Sequence, residues 1–246
     1  MFGQTVPLNG QWIAYNRAGS PSEPNQCFTA ANVSINNSNL QLTTKQQTSQ
    51  CVSIDFAEPG TTTSYTSAYV AMGTFNFLYG TVEFRAKFGG GSNNGAWDII
   101  ALDDVSCQSS APGGTDDRCN GQEIDIAEIW GDFTLVNQQI HVNNFAHNDG
   151  GQVSPGFDVS AGFHVYQLVW SAGSLIWNID GVQTSTVIQS WVPNAPMFLS
   201  MTNFMAGPGS SVGGSINNAA LPWVTLIDYV KVTQASSVVF FDDFLG

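Results

Sequence analysis

The chain has 246 residues, and its 6 Lys plus Arg against 19 Asp plus Glu give a formal net charge of −13. That balance argues against nucleic acid, anionic lipid and sulfated polymers as partners. Only 10% of the residues are charged while 43% are hydrophobic and 12% aromatic, which excludes disorder and provides material for one sizeable core.

In chain order, short alternating runs rich in Val, Ile, Phe, Tyr and Trp predict strands at Asn39 to Thr44, Thr66 to Met72, Gly80 to Phe88, Trp97 to Leu102 and Gln122 to Ile129. Further strands are expected at Gln138 to Asn143, His164 to Ser171, Ser174 to Ile179, Pro196 to Asn203 and Val224 to Thr233. The pair around Ser171-Ala172-Gly173-Ser174, followed by Asp180-Gly181, reads as a hairpin ending in a second turn. Almost nothing reads as helix, so the chain is expected to be all-β, with a two-sheet sandwich favoured over a barrel. The polar stretch between Asp103 and Gln122 is a long loop delivered straight into the next strand, and long loops in compact domains are usually functional. Residues 1–234 are assigned to the sandwich. Residues 235–246 are read as a short linker, Ala235-Ser236-Ser237, and a strand or tail, Val238 to Phe244.

The four cysteines fall into two local groups without a metal-binding spacing, which predicts Cys27–Cys51 and Cys107–Cys119 disulfides in an exported protein. No apolar run approaches the ~18 residues of a membrane helix. Met1-Phe2-Gly3-Gln4 lacks a basic region followed by an apolar one, so a signal peptide is expected to have been removed already.

The densest chemical signal is Gly121-Gln122-Glu123-Ile124-Asp125-Ile126-Ala127-Glu128-Ile129-Trp130. In a regular strand Glu123 and Asp125 share a face and Glu128 points to the other. A β-bulge at Ile126-Ala127 would return Glu128 to the face of Glu123. Three acids gathered in this way suit glycoside hydrolysis, and their closeness on one strand favours the ~5–5.5 Å carboxyl spacing of retaining enzymes. A solvated acidic face is the plain alternative, weakened by like-charge repulsion with few cations to relieve it. Calcium binding by the trio is disfavoured, since these acids alternate with Ile on a strand rather than lining a loop. Ser-His-Asp catalysis lacks a GxSxG run. Trp97 and Trp130, on or beside the acid-bearing strands, are the aromatic residues expected to stack on sugar rings.

Glu123-Ile124-Asp125-Ile126-Ala127-Glu128 resembles the catalytic motif of glycoside hydrolase family 16, in its ExDxxE branch of laminarinase-like enzymes. Tyr79-Gly80 through Lys87, Phe163-His164-Val165-Tyr166 through Trp170, Asp180-Gly181, Asn203 and Asp228-Tyr229-Val230-Lys231-Val232 are similar to the family's other segments in the same order, over residues 39–233. The resemblance implies a concanavalin-like β-jelly-roll sandwich with a substrate cleft across a concave sheet. It makes Glu123 the nucleophile, Glu128 the general acid/base and Asp125 the neighbour that modulates their protonation. His141 and Asn203 join Trp97 and Trp130 as expected substrate contacts. No cofactor is implied for catalysis, and a structural Ca²⁺ is implied at Asp228. One departure stands out: where the family commonly has G-x-W-P-A-x-W-L, this chain has Gly95-Ala96-Trp97-Asp98-Ile99-Ile100-Ala101-Leu102, which lacks the second Trp. The resulting expectation is a secreted, monomeric, endo-acting retaining β-glycanase acting on neutral β-1,3- or mixed-linkage β-1,3/1,4-glucan. Agarose, xyloglucan, transglycosylation and a non-catalytic carbohydrate-binding module are the rivals.

Overall fold

A computed structural model describes residues 4–19, 24–51, 62–105, 121–143 and 145–245. Its strands in chain order are β1 (Gln4–Leu8), β2 (Trp12–Ala18), β3 (Cys27–Phe28), β4 (Val33–Asn36), β5 (Asn39–Gln50), β6 (Thr62–Ser67), β7 (Tyr69–Met72), β8 (Gly80–Lys87) and β9 (Ala96–Asp104). They continue with β10 (Glu123–Trp130), β11 (Val136–Val142), β12 (His147–Val153), β13 (His164–Ser171), β14 (Ser174–Ile179), β15 (Val182–Ile188), β16 (Met197–Met205), β17 (Trp223–Gln234) and β18 (Ser237–Asp242). Two single-turn 3-10 helices, Ala30–Asn32 and Asn218–Ala220, complete the described elements.

Strand pairing builds two antiparallel sheets. The first runs β1-β2-β7-β16-β9-β10-β11-β12 and carries the acid motif near its centre. The second runs β4-β5-β17-β8-β13-β14-β15, with β18 flanking the C-terminal half of β17 where β5 flanks its N-terminal half. A small ladder of β2, β3, β6 and β5 joins the two sheets, and the Cys27–Cys51 disulfide closes it. The expected single strand over Thr66 to Met72 is interrupted at Ala68, because the chain leaves the joining ladder there and enters the acid-bearing sheet. The same transfer between partners explains why β5 runs past Thr44: its first half pairs with β17 and its second with β6. Asp180 and Gly181 form the β14–β15 turn with both φ positive, 49° and 78°, as a two-residue Asp-Gly turn requires.

Burial patterns set the two sheets apart. In β8, β13 and β14 buried residues alternate with partly exposed ones, the signature of a sheet with one face on the core. Every residue of β9 and β16 is buried, and all of β10 except its two ends. The centre of the acid-bearing sheet is therefore little exposed on either face, so polar groups at the centre of its outer face are largely shielded from solvent. Between the sheets lie Trp12, Phe84, Tyr166, Trp170 and Trp177, each fully buried. The C-terminal segment docks on the same core: Trp12 Nε1 donates to Asp242 Oδ2 at 2.9 Å, and Phe240 and Phe244 pack against the Trp12 ring.

Candidate active site

Backbone register puts the three acids on one face. Glu123 lies opposite Asp103 on β9 and His141 on β11, and Asp125 lies opposite Ala101 and Gln139. The next matched pairs are Ala127 with Ile100 and Glu128 with Asn137, so the register slips at Ile126-Ala127 by one inserted residue. This is the expected bulge, and it returns Glu128 to the side of Glu123 and Asp125. A bulge interrupts the ladder, and at this one the Asp125 main-chain carbonyl accepts a hydrogen bond from Trp177 Nε1 at 2.9 Å. Trp177 belongs to β14, so a fully buried indole from the opposite sheet supports the bulge from beneath.

The two glutamates sit in different surroundings. Glu123 is partly exposed, whereas Glu128 is 8% exposed. Glu128 Oε1 accepts from Trp97 Nε1 at 2.8 Å and Oε2 from Gln139 Nε2 at 3.2 Å. Burial, reinforced by the charge of Asp125, pushes the Glu128 carboxyl up to about 8 against the opposing pull of the Trp97 indole, His141 and Trp130. That shift favours the protonated acid at neutral pH. Asp125 directs Oδ2 to His141 Nε2 at 3.4 Å, while its buried Oδ1 has no hydrogen-bond partner among the described residues. On the other side of the ring, His141 Nδ1 lies 2.6 Å from Asn148 Oδ1, and the Asn148 amide is oriented by its Nδ2 donating to the Phe145 carbonyl at 2.9 Å. Both ring nitrogens thus face oxygen acceptors, the arrangement an imidazolium needs. Burial lowers the His141 pKa, but the hydrogen bond and charge of Asp125 outweigh it and the net shift is upward. A buried carboxyl pushed upward beside a more exposed one on the same strand is a layout that suits an acid and a nucleophile.

The sequence profile of Glycosyl hydrolases family 16 matches residues 22–224. The chain belongs to glycosyl hydrolase family 16. Among family relatives, a beta-glucanase of Paenibacillus macerans is 34% identical over 115 residues, covering 46% of this chain and 46% of the relative. A keratan-sulfate endo-1,4-beta-galactosidase of Sphingobacterium multivorum is 28% identical over 171 residues, 66% of this chain and 38% of the relative. The chain thus spans less than half the length of these curated relatives. The laminarinase catalytic domain of Thermotoga maritima superposes with a TM-score of 0.75 at 22% identity, covering 94% of this chain and 98% of that one. LamAcat of Zobellia galactanivorans superposes with a TM-score of 0.74 at 26% identity, covering 94% and 93%. With the two sheets described above, these neighbours make the fold a β-jelly roll.

Within this family-16 frame the other expected site residues take varied places. His141 joins the trio through Asp125. Trp130 is partly buried and lies across from Trp97 at the end of the acid-bearing strand. Trp97 itself is 4% exposed, packed 4.9 Å from the Phe204 ring, with its N–H committed to Glu128. It holds the buried acid and offers no free face to a sugar ring, which corrects the stacking role expected of it. Asn203 is also corrected: it is 2% exposed and faces the sandwich interior, where its Nδ2 donates to Asp98 Oδ1 and, at 3.0 Å, to Thr225 Oγ1. Thr225 Oγ1 in turn donates to Asp98 Oδ2 at 3.0 Å and accepts from the Gly89 N–H, so a polar knot ties β9 and β16 to β17 of the other sheet. Burial pushes the Asp98 carboxyl up to about 7. Asp228, where the resemblance implies a calcium ligand, pairs its Oδ2 with Arg85 Nη1 at 2.7 Å. No group of three or more His, Cys, Asp or Glu side chains suited to a metal occurs among the described residues. The expected Cys107–Cys119 bond lies outside the described residues, while Cys27–Cys51 is present.

Gln139 and Trp177 are the positioning residues that sequence reasoning missed. Gln139 was findable, because it shares the face of His141 two positions along β11. Trp177 was not, because its role depends on which strand of the opposite sheet lies beneath the bulge.

Proposed function

We propose that this chain is an endo-acting β-glycanase that hydrolyses neutral β-1,3- or mixed-linkage β-1,3/1,4-glucan by double displacement, with retention of configuration. The observation that carries it is the split between a partly exposed Glu123 and a buried Glu128, whose burial pushes its carboxyl towards the protonated form, on the same face as Asp125. Glu123 attacks the anomeric carbon while Glu128 protonates the departing oxygen. Glu128 then removes a proton from the water that releases the sugar. Burial, reinforced by the charge of Asp125 that His141 holds in place, favours the proton on Glu128. Carboxyl groups perform every step, so no cofactor enters. The beta-glucanase relatives and a LamA variant of Zobellia galactanivorans in complex with laminaritriose and laminaritetraose, 25% identical to this chain, favour a glucan. The net charge of −13 disfavours a sulfated galactan. The Cys27–Cys51 disulfide favours an extracellular enzyme.

The roles are tested with an aryl β-glycoside and azide. Glu128→Ala should still glycosylate on this substrate and, with azide, release a β-glycosyl azide. Glu123→Ala should be inactive alone and give the α product with azide. Exchanged product configurations would reverse the two roles. A panel of laminarin, lichenan, agarose, xyloglucan and keratan sulfate tests the substrate: fastest release is expected from laminarin or lichenan. Binding without cleavage of any of them would make the chain a carbohydrate-binding module.

A further inference from the structure

The acid-bearing face holds a fourth carboxyl, at Asp103. On β9 this residue lies directly opposite Glu123 on β10 and Phe198 on β16, and directly opposed residues in antiparallel strands have Cβ atoms about 4.5–5.5 Å apart. Asp103 is 3% exposed, and its buried Oδ2 has no hydrogen-bond partner among the described residues. The charged and titratable groups facing it are Glu123 and Asp125 from β10, Arg17 and Tyr15 from β2, Tyr69 from β7 and Asp104 on its own strand; the Ser200 hydroxyl of β16 hydrogen-bonds to it. Two carboxyls opposed on so dry a face do not both ionise readily, and the more enclosed of the two keeps the proton. Glu123 is the more exposed, so the proton belongs to Asp103. In keeping with that geometry, burial pushes the Asp103 carboxyl up to about 7, aided by the charge of Asp125 and opposed by the Ser200 hydrogen bond and the Arg17 charge.

We infer that Asp103 is a positioning residue for Glu123: its protonated carboxyl donates across the strand pair to the Glu123 carboxylate, fixing that side chain and leaving it the ionised partner. No bond is made or broken at Asp103, and its proton stays on the enzyme through the cycle. On ionisation the donor is lost and a second negative charge stands beside Glu123. This inference rests on Glu123 being the nucleophile, but the pairing of the two carboxyls can be read without any turnover.

The test joins a titration with kinetics on the whole chain. Carbon-13 NMR of Asp side-chain carboxyls, with Asp103→Asn to assign the signal, should show Asp103 titrating near pH 7. In Glu123→Gln that midpoint should fall by about one pH unit or more, as expected of a coupled pair. On an aryl glycoside at pH 5.5, Asp103→Asn retains a neutral donor and should keep kcat within about 3-fold. Asp103→Leu retains none and should lose on the order of 10-fold or more in kcat with little change in KM. Melting temperatures and circular dichroism of both variants check that the fold is kept. An Asp103 midpoint near that of an ordinary aspartate in both proteins would overturn the pairing, as would identical kcat values and pH profiles for the Asn and Leu variants. If the NMR coupling holds but Glu123→Ala gives the β-azide, the pairing stands and the nucleophile assignment fails.

Discussion

Replacing Trp97 by Phe removes one atom group that matters to the acid, the indole N–H at 2.8 Å from Glu128 Oε1, while keeping an aromatic ring against Phe204. That hydrogen bond favours the ionised carboxylate, and so opposes the rise that burial and Asp125 impose on Glu128. A hydrogen bond to a charged group contributes about 1.5–3 kcal/mol, and 1.36 kcal/mol is one pH unit of pKa. Glu128 starts at about 8, so its midpoint should climb by roughly one to two pH units once the donor is gone. The general acid works only while protonated. Activity is therefore lost as pH rises through that midpoint, and the substitution should carry the alkaline limb of kcat/KM upward. The pH profile is measured on lichenan or laminarin between pH 5 and 10, with the acidic limb as an internal control because Trp97 does not touch Glu123 in the strand register. An alkaline limb that stays in place, or moves to lower pH, would refute the assignment of Glu128 as the titrating acid.

Trp177→Phe should leave the Asp125 carbonyl without its donor at the bulge. A buried unsatisfied carbonyl costs about 1–3 kcal/mol, so the melting temperature should fall by roughly 2–12 °C, with a loss of kcat that exceeds any change in KM. Glu128→Gln should alter the pH dependence of stability. The folded carboxyl holds its proton up to about 8 against an ordinary value of 4.5, so its contribution is complete below pH 4.5 and disappears as pH rises through 8. Calorimetry should find the Gln variant more stable than the parent at pH 8, by roughly 4–5 kcal/mol, and the difference should close towards pH 4.5. Cys27→Ser opens a disulfide spanning 24 positions and should cost about 3 kcal/mol in denaturant unfolding; no loss would mean the joining ladder needs no covalent closure.

The bulge was legible because three acids and four aliphatic residues in eight consecutive positions admit one arrangement with every acid on the same side. The hairpins were legible for a similar reason, since Asp180-Gly181 announces its own backbone conformation. β12 was not: His147-Asn148-Asp149-Gly150-Gly151-Gln152-Val153 reads as a loop, yet it pairs along the whole of β11. Gly150 is required there because a Cβ would approach the Gln138 carbonyl oxygen to 2.2 Å, so the feature that disguised the strand is the one that lets it dock. Asn203, expected from the resemblance, and Trp97, expected from its place beside the acids, were misread because strand parity and depth decide where a side chain points. In β16, Ser200 and Thr202 share the outer face with Ala101 and Ile99, which leaves Asn203 to the interior beside Asp98. Residue chemistry alone could not show that the outer face itself is buried.

The knot of Asp98, Asn203, Thr225 and the Gly89 N–H has a bearing on how the sequence of such a protein can drift. Replacing any one side chain strands its partners in a dry interior, whereas replacing Asp98, Asn203 and Thr225 together with aliphatic residues would leave only the Gly89 N–H to be satisfied. Intermediates between those two solutions are worse than either end. Single-step substitution is thus closed off at these positions, and a lineage that adopted the polar solution would keep it even while the surrounding cleft residues diversify to meet new glycans. A laboratory effort to recast the cleft should accordingly treat the three side chains as one unit, exchanged together or left alone.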